Sequence, residues 1–116
     1  MNMLDTDAII ELLRKKRYEA GCFSIVTLVE VLRGIGDESR LEVKKLLEES
    51  FDVINIDNKV VITYCTLYQK LREKGETIPD ADLLVAATAI SRNLPLKTAD
   101  KHFERLKALG LRIIQF

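Results

Sequence analysis

Short apolar runs bounded by turn residues alternate along this chain with stretches whose apolar residues recur every three or four positions. That is the pattern of strands alternating with helices. Residues 1–4 predict a first strand. The next stretch places Ile9, Ile10, Leu12 and Leu13 on one helical side and ends in Arg14-Lys15-Lys16-Arg17, cations that suit the negative end of a helix dipole. Gly21 precedes a β-rich run at 22–26, the second predicted strand. A helix opening at Thr27 stops in the Gly34–Gly36 region. Residues 38–49 predict another helix, with Leu41, Val43, Leu46 and Leu47 inward and Lys44, Lys45, Glu48 and Glu49 outward.

Residues 53–56 predict the third strand, and Asp57 caps a long helix carrying Val60, Val61, Tyr64, Leu67 and Leu71 that stops at Gly75. After Pro79, residues 80–91 are apolar on nearly every side and predict a buried helix. A fourth strand at 94–98 with Pro95 at its start, a helix at 101–109 and a last strand at 112–116 complete the chain. Strands and helices in this alternation specify an α/β domain with a mostly parallel sheet between two helical layers. No repeat, low-complexity segment or linker interrupts it, so residues 1–116 read as one domain.

Composition narrows the partners. Apolar residues make up 47% and charged residues 31%, which excludes a disordered chain. Lys+Arg 18 against Asp+Glu 18 leaves no net charge, so a polyanion must be held by a local basic patch or by metal ions. No apolar run approaches the ~20 residues of a membrane helix, and residues 1–5 lack the basic-then-apolar order of a signal peptide, so no membrane partner is expected. Cys22 and Cys65 lie in apolar stretches as buried free thiols, which suits the cytoplasm and excludes a disulfide scaffold or a Cys-based zinc site.

The informative feature is where certain acids fall. Asp5 ends the first strand with Asp7 two residues on, Glu30 opens the helix after the second strand, Asp80 and Asp82 open the buried helix, and Asp100 follows the fourth strand. In an open parallel sheet, strand C-termini and the helix N-termini that follow share one edge, where ligands bind. Asp5, Glu30, Asp82 and Asp100 can therefore converge from four parts of the chain. Gathered carboxylates raise one another's pKa unless a hard cation such as Mg²⁺ or Mn²⁺ neutralises them.

Each acid also has a purely structural reading. Thr27-x-x-Glu30 fits a capping box, Asp7, Asp57, Asp80 and Asp100 fit helix N-caps, and Asp82 gains from a helix dipole. That reading does not account for Asp82 leading directly into Leu83-Leu84-Val85-Ala86-Ala87, nor for Asp5 ending an apolar strand central to the sheet. Jointly, these positions favour a metal site. His102, the only histidine, reads as exposed on a helix first turn rather than as a catalytic base. There is no nucleophilic triad, P-loop or dinucleotide fingerprint, and the aromatics, among them Phe23, Phe51, Tyr64, Tyr68 and Phe103, sit at core-like spacing. The basic run at 14–17 and Lys101, Arg105 and Lys107 read as solvated helix surface, with phosphate contact as the alternative.

Four blocks in order resemble the PIN-domain family and, within it, the VapC-type toxins of bacterial and archaeal toxin–antitoxin pairs. They are Leu4-Asp5-Thr6-Asp7, Ser24 through Gly34 around Glu30, Ile78-Pro79-Asp80-Ala81-Asp82 with the apolar run after it, and Leu94 through Phe103 around Asp100. The resemblance implies a five-stranded parallel sheet of order 3-2-1-4-5 and divalent-metal-dependent RNA cleavage. It matches Asp5, Glu30, Asp82 and Asp100 to catalytic acids holding Mg²⁺ or Mn²⁺, with Thr6 and Thr98 orienting them and Asp80 beside them. Asp7 stands where the family more often has Asn, so it either joins the site or caps the helix. A homodimer and a small antitoxin partner are also implied.

Three alternatives compete with a ribonuclease. A phosphatase would use Asp5-Thr6-Asp7 as nucleophile and acid, but lacks an evident catalytic Lys. A phosphoacceptor signalling domain would use Asp57, but has no Lys after its last strand. A catalytically silent PIN-like binding module would keep the fold without the reaction.

Overall fold

The computed structural model describes residues 1–116. Five short strands, β1 (Asn2–Leu4), β2 (Gly21–Ser24), β3 (Asp52–Ile54), β4 (Leu96–Lys97) and β5 (Ile113–Ile114), pair in parallel in the order β3-β2-β1-β4-β5. The connections are α1 (Thr6–Lys15), α2 (Ile25–Arg33), α3 (Asp37–Ser50), α4 (Asn58–Glu73), α5 (Asp80–Ser91) and a 3₁₀ helix over Lys101–Leu109. Helices cover both sides of the sheet, so the α/β architecture and the 3-2-1-4-5 order expected from the sequence are present.

Strand side chains alternate between faces, and here both faces are buried. Met3 and Cys22 pack with Val60, Leu67, Leu83, Leu96 and Phe103 on the α4–α5 side. Their neighbours Leu4 and Phe23 pack with Ala8, Ile9, Leu28, Val31 and Leu47 on the α1–α2–α3 side. Gly21 lies where β1 and β2 approach closely. A Cβ there would sit 3.0 Å from Asn2 O and 3.2 Å from Leu4 Cδ1, so the pairing favours glycine. α5 is the buried helix the sequence predicts, and its polar Thr88 and Ser91 turn their hydroxyls onto the carbonyls of Leu84 and Thr88 at 2.7 and 2.9 Å.

Several local expectations change. The second strand ends at Ser24 rather than residue 26, because the Ser24 hydroxyl accepts the Val26 N–H at 3.0 Å and starts α2 at Ile25. Thr27 and Glu30 therefore lie inside the helix and form no capping box. Asp5, not Asp7, caps α1, and Pro79, not Asp80, occupies the N-cap of α5. Leu41 and Leu46 are 80% and 51% exposed, since α3 reaches the core through Val43 and Leu47 beside the edge strand β3. Val61, Cys65 and Tyr68 face outward from α4, whose inner side is Val60, Leu67 and Leu71, so only Cys22 is a buried thiol. The last strand pairs only through Ile113 and Ile114.

Candidate metal centre

β1 lies between β2 and β4, and the order of strands reverses around it, which opens a crevice at the C-terminal edge of the sheet. Asp5 leaves β1 directly into this crevice and is 5% exposed. Its Oδ1 accepts the Ala8 N–H at 3.0 Å as the cap of α1, and its Oδ2 accepts the hydroxyl of Thr98. Thr98 Oγ1 in turn accepts the Asp100 N–H at 3.0 Å, so one buried hydroxyl ties the acid after β1 to the acid after β4.

Glu30, one turn beyond Thr27 on α2, accepts the Thr6 hydroxyl at 3.0 Å, and its other oxygen lies 3.7 Å from the exposed Arg33 guanidinium. Asp82 stands in the first turn of α5. Asp100 caps the 3₁₀ helix, accepting the His102 N–H at 2.9 Å, with His102 Nδ1 at 3.2 Å from the same oxygen.

These groups line one cavity of about 170 Å³, whose walls are Asp5, Thr6, Asp7, Thr27, Glu30, Asp82, Val85, Asp100 and Phe103. Five of the nine are acids and none is basic. Burial pushes the Asp5 carboxyl up to about 6, against the Thr98 and Ala8 hydrogen bonds that lower it, with Asp7 and Asp100 adding to the rise. Burial, then Asp100 and Glu30, also pushes Asp82 up. Thr27 Oγ1, in a residue with no exposure, is the one buried side-chain polar atom without a hydrogen-bond partner. An unpaired buried hydroxyl costs about 1–3 kcal/mol. Oxygen donors, clustered negative charge that only the exposed Arg33 and His102 approach from outside the lining, and the unpartnered Thr27 hydroxyl fit a hydrated hard cation.

The four acids expected from the sequence thus come together, as do Thr6 and Asp7 on the wall and Thr98 behind it. Asp80 does not join them. It is exposed on the outer side of α5, where it accepts the Tyr64 hydroxyl at 2.6 Å and pushes that phenol up to about 12. Tyr64→Phe removes this link between α4 and α5, and urea denaturation should show a loss of about 0.5–1 kcal/mol with the acid cavity unchanged.

Thr27 lines the cavity although its sequence spacing suggested only a capping box, whereas His102 is exposed in the first turn of the 3₁₀ helix, as expected, beside Asp100. Thr27 precedes Glu30 by three positions, one helical turn on the same face, which was a readable signal. Asp57 stays apart, capping α4 and paired with Arg92 at 2.8 Å. Arg105 bonds Thr77 O at 2.9 Å near Glu76, which makes it a brace for the α4–α5 loop. A larger cleft of about 460 Å³ beside α1 is lined by two ion pairs, Lys15 with Glu11 at 2.7 Å and Lys97 with Glu19 at 2.6 Å, and by Arg17.

Comparison with known proteins gives a consistent result. The PIN domain family profile matches residues 3–109. The chain is 40% identical over 115 residues to Ribonuclease VapC1 of Methanocaldococcus jannaschii, spanning 96% of this chain and 85% of that protein. It is similar to a chain of the DNA-bound VapBC from Salmonella typhimurium, with 27% identity, a TM-score of 0.83 and coverage of 99% and 98% of the two chains. It is also similar to a chain of VapBC-5 from Mycobacterium tuberculosis, a member of the VapBC family of toxin-antitoxin systems, with 26% identity, a TM-score of 0.78 and coverage of 99% and 98%. The chain belongs to the PIN domain family, and within it to the VapC proteins.

Proposed function

We propose that this protein is a divalent-metal-dependent endoribonuclease, a VapC-like toxin that hydrolyses RNA phosphodiester bonds and is held in check by a small antitoxin. The observation that carries the reading is the cavity: five carboxylates, no basic side chain and one orphaned buried hydroxyl, at the strand-order switch of a PIN fold. Asp5, Glu30, Asp82 and Asp100 are the residues that would hold Mg²⁺ or Mn²⁺. Such an ion, when bound, supplies positive charge against the scissile phosphate and the leaving oxygen and makes water a better nucleophile.

The chain's own groups set the stage. Thr98 holds Asp5 and Asp100 in register, and Thr6 holds Glu30. Val85 and Phe103 give the cavity a small apolar wall. Thr27 lines the cavity, and its Oγ1 has no hydrogen-bond partner within the protein. A cavity carboxylate orients the water that attacks phosphorus as the bond to the leaving oxygen breaks.

Thr27→Val is expected to leave the metal-free fold as stable or slightly more stable, and to weaken Mg²⁺ binding several-fold by calorimetry.

RNA as substrate, an antitoxin, a homodimer and a cytoplasmic location complete the proposal. Its support is the relative Ribonuclease VapC1, the VapBC character of the solved relatives, and the lack of any helix long and apolar enough to cross a membrane. The rivals lose ground on geometry. Both Asp5 oxygens are already accepting hydrogen bonds, which suits a fixed ligand better than a phosphatase nucleophile. Asp57, the phosphoacceptor candidate, lies outside the cavity.

Untagged protein incubated with a structured RNA mixture tests the reading. Cleavage is expected with Mg²⁺ or Mn²⁺, none in EDTA, and recovery when metal is restored. Cleavage that persists in EDTA would contradict it.

A further inference from the structure

We propose that His102 is a nitrogen ligand of the ion that Asp82 and Asp100 hold, and that it shifts the centre's preference from Mg²⁺ toward Mn²⁺ and later first-row ions. The inference rests on the metal-centre reading above. One carboxylate oxygen from each of Asp82 and Asp100 and one ring nitrogen of His102 all lie within 4.8 Å of one another, a tighter set than the wider ring of acids on the cavity wall. His102 Nδ1 stands 3.2 Å from Asp100 Oδ1. Adjacent ligands of an octahedral ion at about 2.1 Å are separated by about 3 Å, so this spacing suits two groups sharing one cation.

The backbone places the ring there. The His102 N–H donates to Asp100 Oδ1 at 2.9 Å in the first turn of the 3₁₀ helix, which fixes the residue beside the acid. The imidazole is 56% exposed at the rim, so it reaches an ion without the cost of desolvating a buried ring. Ligand chemistry then sets the preference. Mg²⁺ takes oxygen and water and seldom imidazole, whereas the first-row transition ions accept nitrogen with rising affinity along the series.

His102 is the only histidine in the chain, so an imidazole nitrogen signal from untagged protein has a single source. The test is pulsed electron paramagnetic resonance of Mn²⁺ bound to the untagged protein, with calorimetry of Mn²⁺ and Mg²⁺. Nitrogen coupling is expected in the wild type and absent in His102→Ala and His102→Gln. Both substitutions should weaken Mn²⁺ binding roughly tenfold and Mg²⁺ binding by less than about threefold. Bound Mn²⁺ without nitrogen coupling, and an unchanged Mn²⁺ to Mg²⁺ affinity ratio in the variants, overturns the assignment and leaves His102 as a hydrogen-bond partner of Asp100 in an intact metal centre. Failure of the wild type to bind either ion overturns the centre and the assignment together.

Discussion

Asp82→Asn is expected to lower RNA cleavage by roughly 100-fold or more while leaving the fold in place. Asp82 stands in the first turn of α5, ahead of the buried Leu83, Val85 and Ala86, on the cavity shared with Asp5, Glu30 and Asp100. Asn keeps the shape and removes the charge. The metal-free protein then loses one of the mutually repelling acids, whose burial and proximity to Asp100 and Glu30 already push its carboxyl upward. Its melting temperature without metal should be equal to or above that of the wild type, and its stabilisation by Mg²⁺ should fall. That opposite movement of stability and activity separates a ligand from a structural cap, because loss of a cap lowers both. A folded Asp82→Asn variant with full metal-dependent cleavage would remove Asp82 from the site.

The second large effect is on stability against pH. Asp5 carries a folded pKa of about 6, above its unfolded value, so the folded state binds the proton more tightly. Its contribution is fully present below the unfolded pKa near 4 and is lost as pH rises through about 6. Allowing for partial solvent screening, the metal-free protein should lose about 2 kcal/mol from this group between pH 4 and 7, with Asp82 acting in the same direction.

Other carboxylates act oppositely. Asp57, held low by the Val60 N–H and then by Arg92, adds stability as pH rises. The quantity to measure is therefore the difference between wild type and Asp5→Asn in urea titrations with EDTA. That difference should move in favour of the variant as pH rises, and saturating Mg²⁺ should reverse it, because an ion that binds only the folded state stabilises it. A difference independent of pH would mean that Asp5 is ionised without strain.

The fold was legible because the apolar pattern is consistent at every level. Met3-Leu4 and Cys22-Phe23 are apolar at successive positions, as strands buried on both faces require, and α5 is apolar around nearly its whole circumference. Boundaries were less legible, since β2 gives way to α2 where the Ser24 side chain captures a backbone N–H, two residues before the β-rich run ends. Leu41 and Leu46 follow helical spacing yet stay exposed, because periodicity does not show how much of a helix at the sheet edge is covered.

In the site, the acids were legible from their places at strand ends and helix starts, whereas the partners that distinguish them were not. Glu30 fits a capping box by spacing, and only the position of α2 against α1 brings it to Thr6. Asp80 and Asp82 are alike in sequence, but Asp80 turns to Tyr64 and Asp82 to the cavity, a distinction made by the helix face and not by composition.

In the proposed function, Asp5, Glu30, Asp82 and Asp100 hold a divalent ion on which RNA cleavage depends. Anomalous diffraction from crystals of the protein soaked in Mn²⁺ tests it most directly. A manganese peak is expected inside the cavity bounded by those four carboxylates, lost in Asp5→Asn crystals under the same soak. A wild-type cavity without manganese, in protein from a preparation that cleaves RNA in EDTA, would contradict it.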